Sequence, residues 1–357
     1  MTAFRKVHFV QFCVRVSLRR STSSVSVNLT PSVKVALEVL RDTQAKLTTT
    51  QRQIATGYRV GTAKDNATYW QIATRTRSDI GAVSAVQDAL GLAQATVNVA
   101  STSVSTAVDI VTQIKAKLVT AEEGSVDKTK LNDEITQLKQ QLRSVGQSAN
   151  FNGDNWVVLS GNADPSLPKQ IPASIIRSAD GTFSIGRLSY DGSASSTGSF
   201  STSDARYLID DRTSGSGGYG VLTSTAFAAQ VGAGQNYVML TNQGGSTTGQ
   251  VEIALDSTTT NGQIDDMLSV VNAMLGQMTN VGSAFGSLEA RVNMQDTFAK
   301  NMSDTLTSGV GKLVDANMEQ ESTKLAALQT QQQLGVQSLS IANASFTVIA
   351  QLFQNIH

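Results

Sequence analysis

The stretch Val83–Leu118 reads VSAVQDALGLAQATVNVASTSVSTAVDIVTQIKAKL, and every third or fourth residue in it is apolar. Val83, Leu90, Val97, Val104, Val111 and Leu118 form one row, seven apart. Val86, Ala93, Ala100, Ala107 and Ile114 form the other. This strict heptad draws a narrow apolar seam along a single helix, which other helices must cover. Gly91 and the many Ser and Thr residues give poor intrinsic helix propensity, so packing must hold the helix.

Similar ladders stand at both ends of the chain. Upstream, a helix from about Pro31 to Gln53, with Thr30 as its cap, carries Val33, Leu40, Leu47 and Ile54 seven apart and ends at Gly57. The seam helix starts after Asp65 and closes at Glu122-Glu123-Gly124. A third helix runs from about Asp127 to Ala149 with Leu131, Ile135, Leu138, Leu142 and Val145. Phe151-Asn152-Gly153-Asp154 reads as a turn. Downstream, Ile264, Leu268, Val271, Leu275, Met278, Phe285 and Val292 restore the helical period.

The last helix carries two rows. One is Leu325, Leu328, Leu339, Ala342, Phe346, Ile349 and Phe353, with Gln332 and Gly335 as its polar and small members. The other is Leu334, Ile341 and Val348. Two residues turn a helix by roughly 200°, so this helix is apolar on opposite faces. A monomer's surface helix should not be. The small residues Gly335 and Ala342 favour close helix packing between copies.

Between Trp156 and about Asp256 the texture changes. Phe183–Tyr190, Tyr237–Thr241 and Gln250–Leu255 read as strands between Gly- and Ser-rich loops, and no charged residue occurs from Thr213 to Val251. The expected fold is mainly α with a β-rich insert. Both chain ends form a long antiparallel helical bundle or coiled coil, and the middle projects outward. The domains are 26–64 with 314–357 as a terminal coiled-coil core, 65–158 with 260–313 as a helical rod, and 159–259 as a surface-exposed insert. Residues 1–25 are an extra basic segment outside the mature fold.

Composition narrows the function. The 28 basic and 28 acidic residues cancel, which argues against nucleic acid. No apolar run spans a membrane. His8 and His357 are the only histidines, and Cys13 is the only cysteine, so histidine-dependent catalysis in the body of the chain and an internal disulfide are excluded. There is no P-loop, GxSxG, CxxC or metal-ligand cluster. No cofactor, metal or catalytic residue is expected. Asp210 and Asp211 read as a solvated loop pair. Trp70 and Trp156 read as packing residues rather than as a ring-binding site.

At this point the residues resemble bacterial flagellin. Thr56-Gly57-Tyr58-Arg59-Val60 and Ala63-Lys64-Asp65-Asn66-Ala67 are similar to the signature joining that family's first two helices. Asp315-Ala316-Asn317-Met318-Glu319 is similar to its turn before the last helix. Phe151-Asn152-Gly153, Gln331–Gly335 and Ile341-Ala342-Asn343 match further positions. The resemblance covers about 28–160 and 260–357, and its nearest type is that of alphaproteobacteria. It implies a self-assembling structural subunit of a motility filament, secreted outside the cell. Its partners would be copies of itself, the flagellar export apparatus and its chaperone, and the hook-associated junction and cap proteins.

A surface adhesin or a hook–filament junction protein on the same scaffold is the alternative. Arg59, Lys64 and Asp65 read either as an inter-subunit ion-pair node or as a solvated turn. Asp315 and Glu319 read as a helix cap. The family's receptor-binding stretch in enteric members is not matched at Gln113–Leu118, so recognition by that receptor is not implied. The family begins shortly before its first helix, so initiation near Val25 is expected, should its codon be GTG. Mass spectrometry of sheared filaments is then expected to find no peptide from Met1–Arg20.

Overall fold

The computed structural model describes residues 31–161, 168–178, 182–190, 206–213, 218–243 and 249–354. The expectations for residues 1–25, for Thr30, and for the side chains of Ala342, Phe346, Val348, Ile349 and Phe353 lie outside what it describes. The contacts divide the chain into two compact units, one built from residues up to Gly61 with Asp315 onward, the other from Thr62–Val314.

The larger unit is organised by the heptad seam. Helix α2 spans Ala67–Ala121, α3 spans Lys128–Ser148 and α5 spans Asn261–Val314. Every member of the seam from Val83 to Leu118 is buried except Ala93, which is partly buried. α5 and α3 cover it, and both run antiparallel to α2. Gln94 donates to Asn293 at 2.6 Å, Lys115 to Asn272 at 2.8 Å, and Lys117 pairs with Glu134 at 2.6 Å. α5 supplies Ile264, Val271, Met278, Phe285 and Val292, all at or near zero exposure.

Local chemistry sets the helix ends. Asn66 caps α2 by accepting from Tyr69 N at 3.0 Å, and Asp127 caps α3 through Thr129 N. At the start of α5, Thr260 and Gln263 bond each other reciprocally, as in a capping box.

Among the described residues, the middle of the chain forms four two-stranded pairs. β1 (Asn150–Phe151) and β2 (Asp154–Asn155) make a hairpin whose tip, Asn152-Gly153, has φ of 53° and 89°. Two successive left-handed residues suit Asn-Gly. β3 (Val158–Gly161) pairs in parallel with β6 (Ile209–Arg212), and β7 (Tyr237–Val238) with β8 (Val251–Glu252). β4 (Lys169–Arg177) and β5 (Phe183–Tyr190) form an antiparallel hairpin with a bulge at Pro172–Ser174. A short helix, α4, spans Ala226–Val231.

The insert does not all stand off from the helices. β4 lies against α2 and α5, and Arg177 at its end pairs with Asp79 of α2. Trp156, Tyr190 and Phe285 stack in series, at 6.1 Å and 4.6 Å between ring centres. Trp156 is therefore a core residue, as expected. Trp70 is not, for it stands half exposed on the first turn of α2.

Burial, then the neighbouring Tyr207 phenol, push the Tyr190 hydroxyl above the usual phenol range, against a smaller opposite pull from Arg206. The neutral phenol, which donates to Arg206 O at 3.1 Å, is the form the fold holds. A raised value means this contribution is intact below about pH 10 and is lost as pH rises toward the folded value. Urea midpoints of Tyr190→Phe are expected to fall less between about pH 8 and about pH 11 than those of the parent. An identical fall in both proteins would refute this.

The smaller unit pairs α1 (Pro31–Thr56) with α6 (Met318–Gln354). α1 stops because Gly57 takes a left-handed φ of 73° and returns its N–H to Gln53 O at 2.9 Å. Ala316 N then donates to Gly57 O at 2.8 Å, and Tyr58 bridges Asp315. Asp315 was expected to cap α6, but Asn317 does so instead, accepting from Glu319 N and Gln320 N at 3.1 and 3.2 Å. The backbone of Asp315 is committed to the bridge with Tyr58, two residues before the cap.

Candidate functional site

The candidate site is a surface rather than a cleft. Among the described apolar side chains of the smaller unit, only Leu47, Val60 and Leu328 are fully buried. The α1–α6 seam also takes in polar groups. Thr43 and Thr50 are buried in it, and Thr50 Oγ1 and Gln53 Oε1 have no partner among the described residues. Each such buried atom costs about 1–3 kcal/mol. Among the described residues, the contacts between these two long helices bury little apolar surface and enclose unpaired polar atoms, so these contacts are weak.

The structure uses the first apolar row of α6 inside the chain. Leu328 is buried, Leu325, Leu339 and Gly335 are partly buried, and Leu40 Cδ1 lies 3.2 Å from where a Cβ on Gly335 would stand. On α1, Leu47 is buried and Val33, Leu40 and Ile54 are partly buried. A Gln332 to Gln44 hydrogen bond of 2.8 Å fixes their register.

Two members of the second row of α6 are open: Leu334 is 58% exposed and Ile341 is 69% exposed. Val336 is exposed too, roughly 200° around the helix from Leu334, and Val35 and Val39 stand out from α1. The sequence placed the packing residues on the first row. Among the described side chains of the second row, Leu334 and Ile341 are each more than half exposed.

The signature residues fall into two groups. Gly57, Asp315 and Ala316 meet at the corner between α1 and α6, through the bridge and hydrogen bond already described. Ala63, Lys64 and Asp65 are exposed in the turn before α2, where Asp65 Oδ2 accepts from Thr62 N at 2.9 Å and Thr62 Oγ1 at 3.0 Å. Arg59 is exposed, and its carbonyl accepts from Gln53 Nε2 at 3.1 Å.

Asp210 and Asp211 correct the sequence reading, because they are strand residues held in ion pairs. Asp210 has no exposed surface. Its carboxylate takes Arg212 Nε at 2.8 Å, Arg212 Nη2 at 3.0 Å and Tyr219 N at 3.2 Å, with Arg212 also lying over the Tyr219 ring. Asp211 accepts from Arg143 Nη1 at 2.8 Å. One turn along α3, the buried Lys139 donates to Glu252 Oε1 and Ile253 O, both at 2.8 Å. Lys139 and Arg143 thus pin the insert to α3. The sequence held one signal for this, a lysine on the apolar face of an amphipathic helix.

A cleft of about 700 Å³ opens beside these residues, lined in part by Asn150, Asp154, Lys169, Asp211 and Gln243. Its carboxylates are occupied. Asp154 holds Lys169 and Trp156 Nε1, and Asp211 holds Arg143 and Gln243 N. Among the described residues no cluster of metal-ligating side chains forms. No described helix is long and apolar enough to cross a membrane.

Comparison with known proteins agrees with this geometry. The bacterial flagellin N-terminal helical region matches residues 27–163, and the bacterial flagellin C-terminal helical region matches residues 268–353. The chain is 44% identical to Flagellin C of Rhizobium meliloti strain 1021 over 332 residues, which cover 92% of this chain and 99% of that one. It is 35% identical to Flagellin A of Rhizobium meliloti over 390 residues, covering 90% and 98%. It is 33% identical to a flagellin of Brucella melitensis biotype 1 over 330 residues, covering 92% and 99%. The N-terminal match takes in α1 to α3 with β1 to β3, the C-terminal match takes in α6 and most of α5, and strands β4 to β8 lie between them. The chain belongs to the bacterial flagellins and is a structural subunit of the extracellular flagellar filament.

Proposed function

We propose that the exposed second row of α6, with Leu334 and Ile341, is the surface through which neighbouring subunits hold one another in the filament. The observation that carries this is its exposure on a helix whose other face is already taken by α1. Burying such side chains contributes about 1.5–3 kcal/mol each, and a polymer repeats that gain at every copy. Contacts that join one face to a different face of the next copy do not close, and they generate helical filaments.

In this reading residues 26–64 and 314–357 are the filament's core layer. Residues 65–158 and 260–313 are the helical rod domain, and 159–259 is the surface-exposed insert. The first-row residues Val33, Leu40, Leu47, Ile54, Leu325, Leu328 and Leu339 shape the α1–α6 pair that presents the second row. Ala342, Phe346, Ile349 and Phe353 continue the first row in the sequence toward the C-terminus. Gly57, Arg59, Ala63, Lys64, Asp65, Asp315, Ala316 and Gly335 set its corner and its close approach. The subunit has no catalytic role. Its further partners are the flagellar export apparatus with a chaperone, and the junction and cap proteins at the two ends of the filament.

Hydrogen exchange on dilute subunits and on polymer, with electron microscopy to verify long filaments, tests the assignment. The amides of α1 and α6 are expected to exchange fast in the subunit and to gain strong protection on assembly. Rigid, protected termini in the lone subunit would overturn it.

A further inference from the structure

We propose that Met294 is a redox-modifiable position on a contact between copies of this chain, and that its oxidation to the sulfoxide weakens assembly. The inference rests on the assembly reading above. It adds a second contact, made by different residues, on the unit formed by Thr62–Val314.

Access singles out this sulfur. Met239, Met274 and Met278 have no exposed surface and Met267 almost none, whereas Met318 is 43% exposed and Met294 is 65% exposed. Oxidation of methionine follows exposure of its thioether. Met294 also does not stand alone. Phe298 lies one turn on, on the same side of α5, and more than half of it is exposed. Val292 and Ala299 turn the opposite side of α5 inward. Phe298 in turn borders a narrow apolar groove with Met302, Val83 and Val86 of α2 and Ile175 of β4. An object covering Met294 and Phe298 would therefore bury a continuous apolar strip that runs into the groove.

A second copy is the occupant that fits. The chain is a filament subunit, and its formal net charge of zero offers no field to draw a charged partner.

The modification uses a peroxide. The O–O bond breaks, and one oxygen bonds to sulfur, which is oxidised by two electrons. The other oxygen leaves as water. The product replaces a flexible apolar side chain with a polar one beside Phe298 and removes the thioether that would sit against aromatic carbon.

The test treats full-length subunits and assembled filaments in parallel with limiting hydrogen peroxide, mapping each methionine by peptide mass spectrometry. Met294 is expected to oxidise ahead of Met318 in subunits and to be protected in filaments. Treated subunits should show a critical concentration raised by up to about tenfold. Met294→Leu should show the same critical concentration before and after peroxide, and Met318→Leu should keep the parent's response. The inference is overturned if filaments form in which Met294 is as reactive as in subunits. It is equally overturned if Met294→Leu remains as peroxide-sensitive as the parent. Failure of untreated subunits to form filaments would sink the assembly reading itself, and this inference with it.

Discussion

Glutamate at both Leu334 and Ile341 is expected to abolish filament formation and leave the helix content of the lone subunit unchanged. The two positions are seven apart, so they share one side of α6, and both are more than half exposed. Leu328 and Gly335, which meet α1, lie elsewhere on that helix, so the substitutions do not enter the α1–α6 seam. Assembly would lose the burial of two large apolar side chains, about 1.5–3 kcal/mol each. It would also have to take two carboxylates out of water, at several kcal/mol per ion unless they find partners. At 1.4 kcal/mol per decade, the critical concentration should rise by more than about a thousandfold. Sedimentation, electron microscopy and circular dichroism together read the result. Filaments at the parent's critical concentration would remove this face from the interface. Leu334→Ala alone should fall between the two extremes.

Asp210→Ala is expected to be the most damaging change in the insert, with a loss of about 3–5 kcal/mol. The carboxylate is completely buried and holds Arg212 through two nitrogens, while Arg212 itself is nearly enclosed. Truncation takes from that nearly enclosed guanidinium its bidentate carboxylate, and it also removes the acceptor for Tyr219 N. Asp210→Asn keeps the shape and one acceptor, so it should cost less. Urea denaturation followed by the fluorescence of Trp156, which stacks on Tyr190, reports on this region. A loss below about 1 kcal/mol, the range of an exposed pair, would show that the pair is solvated after all.

The helices were legible because their signal is periodic and long. The Val83–Leu118 seam predicted burial at every position but Ala93, and Asp65, Asp127 and Gly57 marked ends that the Asn66 and Asp127 caps and a left-handed turn do set. Strand β5 was legible from its alternation. Strand β4 was not, because Pro172 and the bulge after it break the period. The parallel pairing of β3 with β6 joins segments some fifty residues apart, which local pattern cannot show, so Asp210 and Asp211 looked like a solvated loop. The cap of α6 was misplaced by two residues because Asp315, a good capping type, is drawn into the bridge with Tyr58.

The candidate surface was half legible. Two apolar rows on α6 were plain in the sequence. Which of them α1 would occupy was not, since that depends on the register set at the Gly57–Ala316 corner.

The hydrogen bond from Tyr190 to Arg206 O has a consequence for engineering. It holds Tyr190 to Arg206 beside the stacked rings. Lengthening the chain between two such fixed points costs only about 0.6 kcal/mol per doubling of its length. A passenger sequence grafted between them would be carried in many copies along a motility organelle, as an epitope array.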